Sequence, residues 1–174
     1  MSVRYNVASL VKEPVGSTRD YDIDTTVVIG EAPHPITGHT TFLRTKPGVL
    51  VTARLEGSAR EQCSRCLRDV EVPLEMTLEE EFFATIDSMT GATLPKPEEP
   101  EAFRIDTSHT IDLEEAVRQC WETALPMQPL CRVDCKGLCP RCGQDWNEAT
   151  CSCVPEADER WSALGELLHK MERA

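Results

Sequence analysis

The chain has 174 residues, a formal net charge of −12, a hydrophobic share of 40% and nine cysteines. This length suffices for one ordinary domain with a buried core, or for a domain with a small appendage, without cross-links. No apolar run approaches the roughly 20 residues that cross a bilayer, and the first residues, MSVRYNVASLVKEP, contain no apolar signal segment. These features argue against a membrane-spanning or secreted chain and predict a cytoplasmic protein.

The first half of the chain is predicted to form β-strands. Residues 5–11 and 23–29 are assigned to strands, whereas His34 and His39 are assigned to a loop because prolines and glycines surround them. Two longer strands follow, with apolar residues at alternate positions: Val51, Ala53, Leu55 and Ala59, then Val70, Val72, Leu74, Met76, Leu78, Phe82, Ala84 and Ile86. This alternation and the short polar joint predict an antiparallel hairpin with one face on a core.

Residues 88–104, SMTGATLPKPEEPEAFR, are rich in proline, glycine and glutamate. Such a composition cannot bury much apolar surface and interrupts regular structure. The segment is therefore predicted to form an exposed loop, and its acids are interpreted as solvated surface.

Two amphipathic helices are predicted in the second half. In IDLEEAVRQCWETALP, residues 111–126, one stripe carries the apolar side chains Leu113, Ala116, Val117, Cys120, Trp121, Ala124 and Leu125. Because Cys120 lies within this stripe, it is interpreted as a core residue and not as a metal ligand. The tail PEADERWSALGELLHKMERA, residues 155–174, predicts a C-terminal helix.

Six of the nine cysteines lie in residues 131–153, CRVDCKGLCPRCGQDWNEATCSC. Cys139 and Cys142 form a C-x-x-C pair, which brings two sulfurs to one side of a turn at a span that suits a tetrahedral zinc ion. Pro140 presets φ and Gly143 tolerates a positive φ, so the turn is sterically prepared. The sequence predicts a zinc knuckle, with further thiolates offered by Cys131, Cys135, Cys151 and Cys153.

A second C-x-x-C pair, Cys63 and Cys66, falls at the joint of the predicted hairpin. It is either a second zinc knuckle or a plain hairpin turn whose two thiols bind no metal. Without Cys120 there are eight cysteines, the number that two Cys₄ sites require. Spacing alone does not show which cysteines share a metal site, and it is consistent with either one or two metal ions per chain.

Other uses of clustered cysteines fit the sequence less well. Disulfides rarely persist in a reducing cytosol, and an odd number of cysteines cannot all pair. A redox C-x-x-C would open a helix within a βαβ unit, and a cysteine nucleophile would need a histidine base. Neither arrangement is found, so no enzymatic activity is predicted, and structural zinc is the predicted cofactor. An iron–sulfur cluster also takes four thiolates, so it is retained as an alternative to zinc.

Four blocks resemble the YceD family, a bacterial domain, in their order and spacing: CSRCL at 63–67, DLEEAVRQCWETALPMQPLC at 112–131, DCKGLCPRCGQDWNEATCSC at 134–153 and DERWSALGEL at 158–167. The resemblance implies a role in the accumulation of large-subunit ribosomal RNA and no enzymatic activity. It also implies metal-type cysteines at Cys131, Cys135, Cys139, Cys142, Cys151 and Cys153, with the hairpin pair at Cys63 and Cys66.

Charge is unevenly distributed, which bears on the partner. Residues 69–106 carry eleven acids against Lys96 and Arg104, so this region repels phosphate and suits a basic ribosomal protein or assembly factor. The two knuckles instead carry bases, namely Arg60, Arg65, Arg68, Arg132, Lys136 and Arg141. If these form a patch, ribosomal RNA is the alternative partner, with base stacking limited to Trp146. No membrane or small-molecule partner is predicted.

The predicted fold is α+β: an antiparallel β-sheet or partial barrel, a packed helix, a cysteine-rich zinc module and a C-terminal helix. Residues 1–125 are assigned to the β-rich core and residues 126–174 to the metal module with the last helix. The predicted function is a non-enzymatic metal-binding factor that supports large-subunit ribosomal RNA accumulation or ribosome assembly. The alternative is a protein-binding adaptor with a purely structural zinc site and no RNA role.

Overall fold

The computed structural model describes residues 3–30, 32–97, 99 and 101–154. They divide into two compact units, unit 1 with residues 3–62 and 69–129 and unit 2 with residues 63–68 and 130–154. The boundary was predicted after residue 125. The observed second unit begins at Leu130 and also takes in the segment 63–68 from the middle of the chain.

Unit 1 is built on a four-stranded antiparallel sheet. Its strands are β2 (Thr18–Ile29), β3 (Ala32–Arg44), β4 (Gly48–Gln62) and β5 (Asp69–Phe83), and they pair in chain order. The expected α+β class with an antiparallel sheet is confirmed.

A smaller sheet and two helices complete unit 1. Strands β1 (Arg4–Asn6) and β6 (Thr110–Asp112) pair antiparallel, and a short 3-10 helix follows β1 at Leu10–Lys12. The helix α1 spans Glu114–Ala124 and contacts β5 and β2. The strand expected over residues 5–11 is therefore much shorter than predicted, because the chain turns into the 3-10 helix.

The hairpin predicted from alternation is confirmed as β4 and β5. Their register runs from Gly48 opposite Phe83 to Gln62 opposite Asp69. The core-facing side chains are buried, and they include Val51, Ala53, Leu55, Ala59, Leu74, Met76, Leu78 and Phe82. Strand β5 ends at Phe83, so Ala84 and Ile86 lie beyond it and are only half-buried.

The loop assigned to His34 and His39 is wrong, because both residues lie in β3. The loop was predicted because of Pro33 and Pro35, since proline has no backbone N–H to donate to a neighbouring strand and is rare in central strands. They pair only with β2, because the β4 ladder begins at Ile36. The prolines thus occupy a part of β3 that is an edge, where a missing N–H costs little.

The helix α1 matches its predicted stripe. Leu113, Ala116, Val117 and Trp121 are buried in the core of unit 1. Cys120 is half-buried against the same core with its Sγ 3.7 Å from the carbonyl oxygen of Thr77, and burial raises the pKa of its thiol. This environment agrees with a core residue.

The predicted C-terminal helix lies in residues 155–174, outside the described residues. Among the helices that the structure describes, none has the length and apolar content needed to cross a membrane.

One face of the four-stranded sheet covers the core, and on the opposite face exposed acids outnumber the exposed bases Arg54 and Arg60. The exposed carboxylates of that face lie in β2, β4 and β5, and they are Asp20, Asp22, Asp24, Glu56, Glu71, Glu75 and Glu79. We call this surface the acidic sheet face. Glu80 falls on the opposite side with Leu78 and Phe82, because successive side chains of β5 alternate.

Candidate metal centre

The first cysteine cluster joins the hairpin pair to the start of the cysteine-rich segment. The sulfurs of Cys63, Cys66, Cys131 and Cys135 all lie within 4.8 Å of one another. The Sγ atoms of Cys63 and Cys135 are 3.8 Å apart, and those of Cys66 and Cys131 are 3.6 Å apart. Metal–sulfur bonds of about 2.3 Å in a tetrahedron place sulfurs about 3.8 Å apart, whereas a disulfide requires about 2.05 Å. The cluster could hold a metal ion.

The second cluster contains Cys139, Cys142, Cys151 and Cys153, whose sulfurs also lie within 4.8 Å of one another. Cys139 is buried, Cys142 is exposed and the other two are half-buried. This cluster could hold a second metal ion. The structure thus supplies the pairing that spacing left open, and none of the nine cysteines is in a disulfide.

The two C-x-x-C turns have the same backbone geometry. In each, the residue after the second cysteine donates its N–H to the carbonyl oxygen of the first cysteine, over 2.9 Å. These residues are Leu67 and Gly143, with φ of 60° and 74°. A positive φ is easy for glycine, as expected at Gly143, but it costs a leucine about 1–2 kcal/mol. The hairpin pair therefore has the backbone geometry of the Cys139–Cys142 turn. The sequence did not show this likeness, because Leu67 stands where the other turn has a glycine.

The surroundings lower the pKa of at least one thiol in each cluster. Backbone N–H groups of Cys131 and Cys66 lower the pKa of the Cys63 thiol to about 6. The Trp146 indole N–H, 3.4 Å from the Cys151 Sγ, lowers the pKa of that thiol to about 6. Burial raises the pKa of the Cys131 thiol to about 12. Neighbouring thiolates resist further ionisation, so a divalent cation is the natural counter-charge for four thiolates.

Asn147 supports the first cluster from outside. Its amide N–H group donates to the Cys135 Sγ over 3.4 Å and to Asp145 over 2.7 Å. Its carbonyl oxygen accepts from the backbone N–H of Lys136 over 2.8 Å and from the Arg132 guanidinium over 2.7 Å. This role of Asn147 was not predicted from the sequence. The only sequence signal for this role was the position of an amide side chain between Cys142 and Cys151.

Several of the bases at the knuckles have structural partners. Arg68 forms ion pairs with Asp145, over 2.6 Å, and with Glu148. Arg132 faces Asp134. The Arg65 guanidinium donates to the carbonyl oxygen of Cys135 over 2.7 Å.

The segment 63–68 also packs closely on the cysteine-rich segment. The backbone N–H of Leu138 donates to the carbonyl oxygen of Arg65 over 3.1 Å. At Gly137, where φ is 77°, a Cβ would lie 3.0 Å from that same oxygen. Both the positive φ and this close approach therefore favour glycine at position 137. The two segments of unit 2 are thus joined by backbone contacts as well as by sulfurs.

Comparison with protein families adds an independent observation. The model of a family described as "Large ribosomal RNA subunit accumulation protein YceD" matches residues 51–168, more than half of the chain. The chain belongs to the YceD family. The matched range includes both cysteine clusters and the helix α1.

Curated relatives of this YceD family member come mainly from mycobacteria. Uncharacterized proteins of Mycobacterium bovis and Mycobacterium tuberculosis are each 38% identical over 121 residues, 70% of this chain and 56% of theirs. "Large ribosomal RNA subunit accumulation protein YCED homolog 1, chloroplastic" of Arabidopsis thaliana is 30% identical over 64 residues, 36% of this chain and 20% of the relative. The chain spans about half the length of the mycobacterial relatives. No solved structure matches it.

We predict that Asn147→Ala weakens metal binding at the first cluster about 10- to 100-fold, because the amide no longer holds the Cys135 sulfur. Titration of the zinc-loaded protein with a coloured chelator should then release the first ion earlier. Gln144→Ala is the control, since that side chain lies in the same loop and donates only to a backbone oxygen. Identical release curves for both variants would show that Asn147 does not support the cluster.

Proposed function

We propose that the protein is a non-enzymatic, zinc-stabilised factor that supports large-subunit ribosomal RNA accumulation or ribosome assembly. Membership of the YceD family and the name of the Arabidopsis relative support the ribosomal role. The observation that carries the proposal is the division of eight cysteines into two four-sulfur clusters. A cytoplasmic location fits this role and stays a prediction.

Zinc fits the donor chemistry of both clusters. Structural zinc sites use four protein ligands in a tetrahedron, whereas catalytic sites keep one position open for water or substrate. Sulfur separations of 3.6 and 3.8 Å in the first cluster suit one central ion. The four sulfurs of the second cluster lie within 4.8 Å of one another, which also suits one ion. In a four-iron cluster each thiolate binds a different iron, which requires wider spacing. When bound, zinc would supply folding free energy to unit 2.

The residues also favour a non-enzymatic role. If all four sulfurs of each cluster bind metal, neither cluster retains a free nucleophile. His39 is hydrogen-bonded to Asp22 over 2.9 Å, and the His34 ring packs on Trp121, so both are engaged within unit 1. We therefore assign the protein to binding and not to catalysis.

The proposal predicts that cells lacking the gene have a reduced ratio of large- to small-subunit ribosomal RNA. The intact chain should restore the ratio, and Cys139→Ser/Cys142→Ser should not, because the second cluster loses two ligands. Cys120→Ser is the matched control, since this cysteine lies outside both clusters. Gel quantification of both RNAs provides the readout.

Hydrogen exchange on the purified variants separates loss of metal from global unfolding. Cys139→Ser/Cys142→Ser should increase exchange in residues 131–153 and spare the four-stranded sheet, which has its own apolar core. An unchanged RNA ratio in the deletion would refute the proposed function. Full restoration by the double variant would refute the need for the metal.

The acidic sheet face supports a second candidate, an adaptor that binds a basic ribosomal protein. Glu75→Lys/Glu79→Lys should weaken binding of large-subunit ribosomal proteins freed of RNA, because reversed charges oppose a basic partner and slow encounter. Glu99→Lys/Glu101→Lys, which changes net charge equally outside the sheet, is the control. Pull-down at several salt concentrations measures the effect. Equal binding by both double variants would exclude this face.

A further inference from the structure

A groove of about 600 Å³ in unit 2 runs between the two cysteine clusters. Its walls include thiols of both clusters together with Arg65, Lys136, Trp146 and Thr150. Two cations and an aromatic ring therefore line the same concave surface. This combination is typical of sites that bind a phosphate backbone and stack a base.

Trp146 is the one aromatic residue of segments 63–68 and 130–154, and 37% of its surface is exposed. Its position is set at two points. The indole N–H donates to the Cys151 Sγ over 3.4 Å, and the backbone N–H donates to the carbonyl oxygen of Gly137 over 3.0 Å. Because the ring is already held in place in the free protein, it loses little conformational entropy when a ligand stacks on it.

Two of the cations of unit 2 lie at the same groove. Arg68 and Arg132 face carboxylates of their own unit, so their charges are partly neutralised. Arg65 and Lys136 line the groove, and the Asn147 side chain holds the Lys136 backbone. The Arg65 guanidinium donates to the carbonyl oxygen of Cys135, which carries no net charge, so this hydrogen bond does not neutralise the arginine. Each four-thiolate site with a divalent cation would keep two negative charges, which disfavours an extended track of phosphates. A short site with one stacked base fits this balance better.

We propose that this groove binds single-stranded RNA, with one base stacked on Trp146 and adjacent phosphates contacted by Arg65 and Lys136. Duplex RNA is excluded from this mode because its bases are already stacked and paired. This inference rests on the proposed function and names the ligand of its cysteine-rich unit.

The test uses the full zinc-loaded chain and a fluorescently labelled 12-nucleotide oligouridine, followed by anisotropy between 50 and 200 mM salt. Two phosphate contacts on a single strand predict a slope of log K against log salt of about −1.4. Lys136→Gln should reduce the slope to about −0.7 and weaken binding about fivefold at 0.1 M salt. Lys96→Gln, the same charge change within unit 1, should leave binding unchanged.

Trp146→Leu should weaken binding at least about fivefold without changing the slope, because stacking carries no net charge. Since this change also removes a hydrogen bond to Cys151, zinc content is measured in parallel. Trp146→Phe keeps a ring and should recover part of the affinity. A 12-base-pair RNA duplex should bind at least about tenfold more weakly than the single strand.

The proposal is overturned if oligouridine does not bind at 50 mM salt, if the duplex binds equally, or if metal-loaded Lys136→Gln and Trp146→Leu bind like the intact chain. It is also overturned if a basic ribosomal protein is the only ligand retained. In these cases restoration of ribosomal RNA by the intact chain would leave the proposed function standing. Conversely, if oligouridine binds but the deletion leaves the RNA ratio unchanged, the proposed function is refuted and the proposed RNA-binding groove still stands.

Discussion

The convergence of four sulfurs in each of two clusters is the constraint on which unit 2 depends. The described part of this unit buries few apolar side chains, and its own hydrophobic cluster is Cys63, Cys66 and Cys135 with Leu130 and Leu138 against it. Val133 and Val154 are 92% and 72% exposed. The described residues of unit 2 therefore gain little free energy from apolar burial, and a metal ion bound by each cluster would add folding free energy to them. The position of Trp146 in the groove follows from that convergence.

Unit 1 follows a different principle. Its sheet and α1 enclose a continuous core with Phe42, Phe82 and Trp121 almost fully buried. This core does not involve the clustered thiols, so unit 1 should keep its structure when metal is removed. The C-x-x-C turn of Cys63 and Cys66 connects Gln62 to Asp69, and these two residues pair at the end of the β4–β5 ladder. Two ligands are therefore held close together before any ion binds.

Sequence patterns within one segment predicted the features that depend on interactions within that segment. Alternation identified β4 and β5, the 3.6-residue period identified α1, and C-x-x-C spacing identified the knuckle at Cys139 and Cys142. Strand β3 was missed because the prolines are harmless only in the register that the complete sheet imposes.

The pairing of the remaining ligands depends on tertiary contacts. Cys131 and Cys135 lie close in sequence to Cys139, yet the structure places them with the distant hairpin. The contact between Gly137 and Arg65 that accompanies this arrangement has no local signature. The role of Asn147 was hidden for the same reason, because its acceptor sulfur is identified only in the folded chain.

X-ray absorption spectroscopy with metal analysis of the purified full chain tests the central claim most directly. We expect two zinc ions per chain, each surrounded by four sulfurs at about 2.3 Å. Cys63→Ser/Cys66→Ser should remove one ion and leave the other with an unchanged four-sulfur shell. A single ion in the intact chain, nitrogen or oxygen ligands in its shell, or loss of both ions from that variant would contradict the division into two independent clusters.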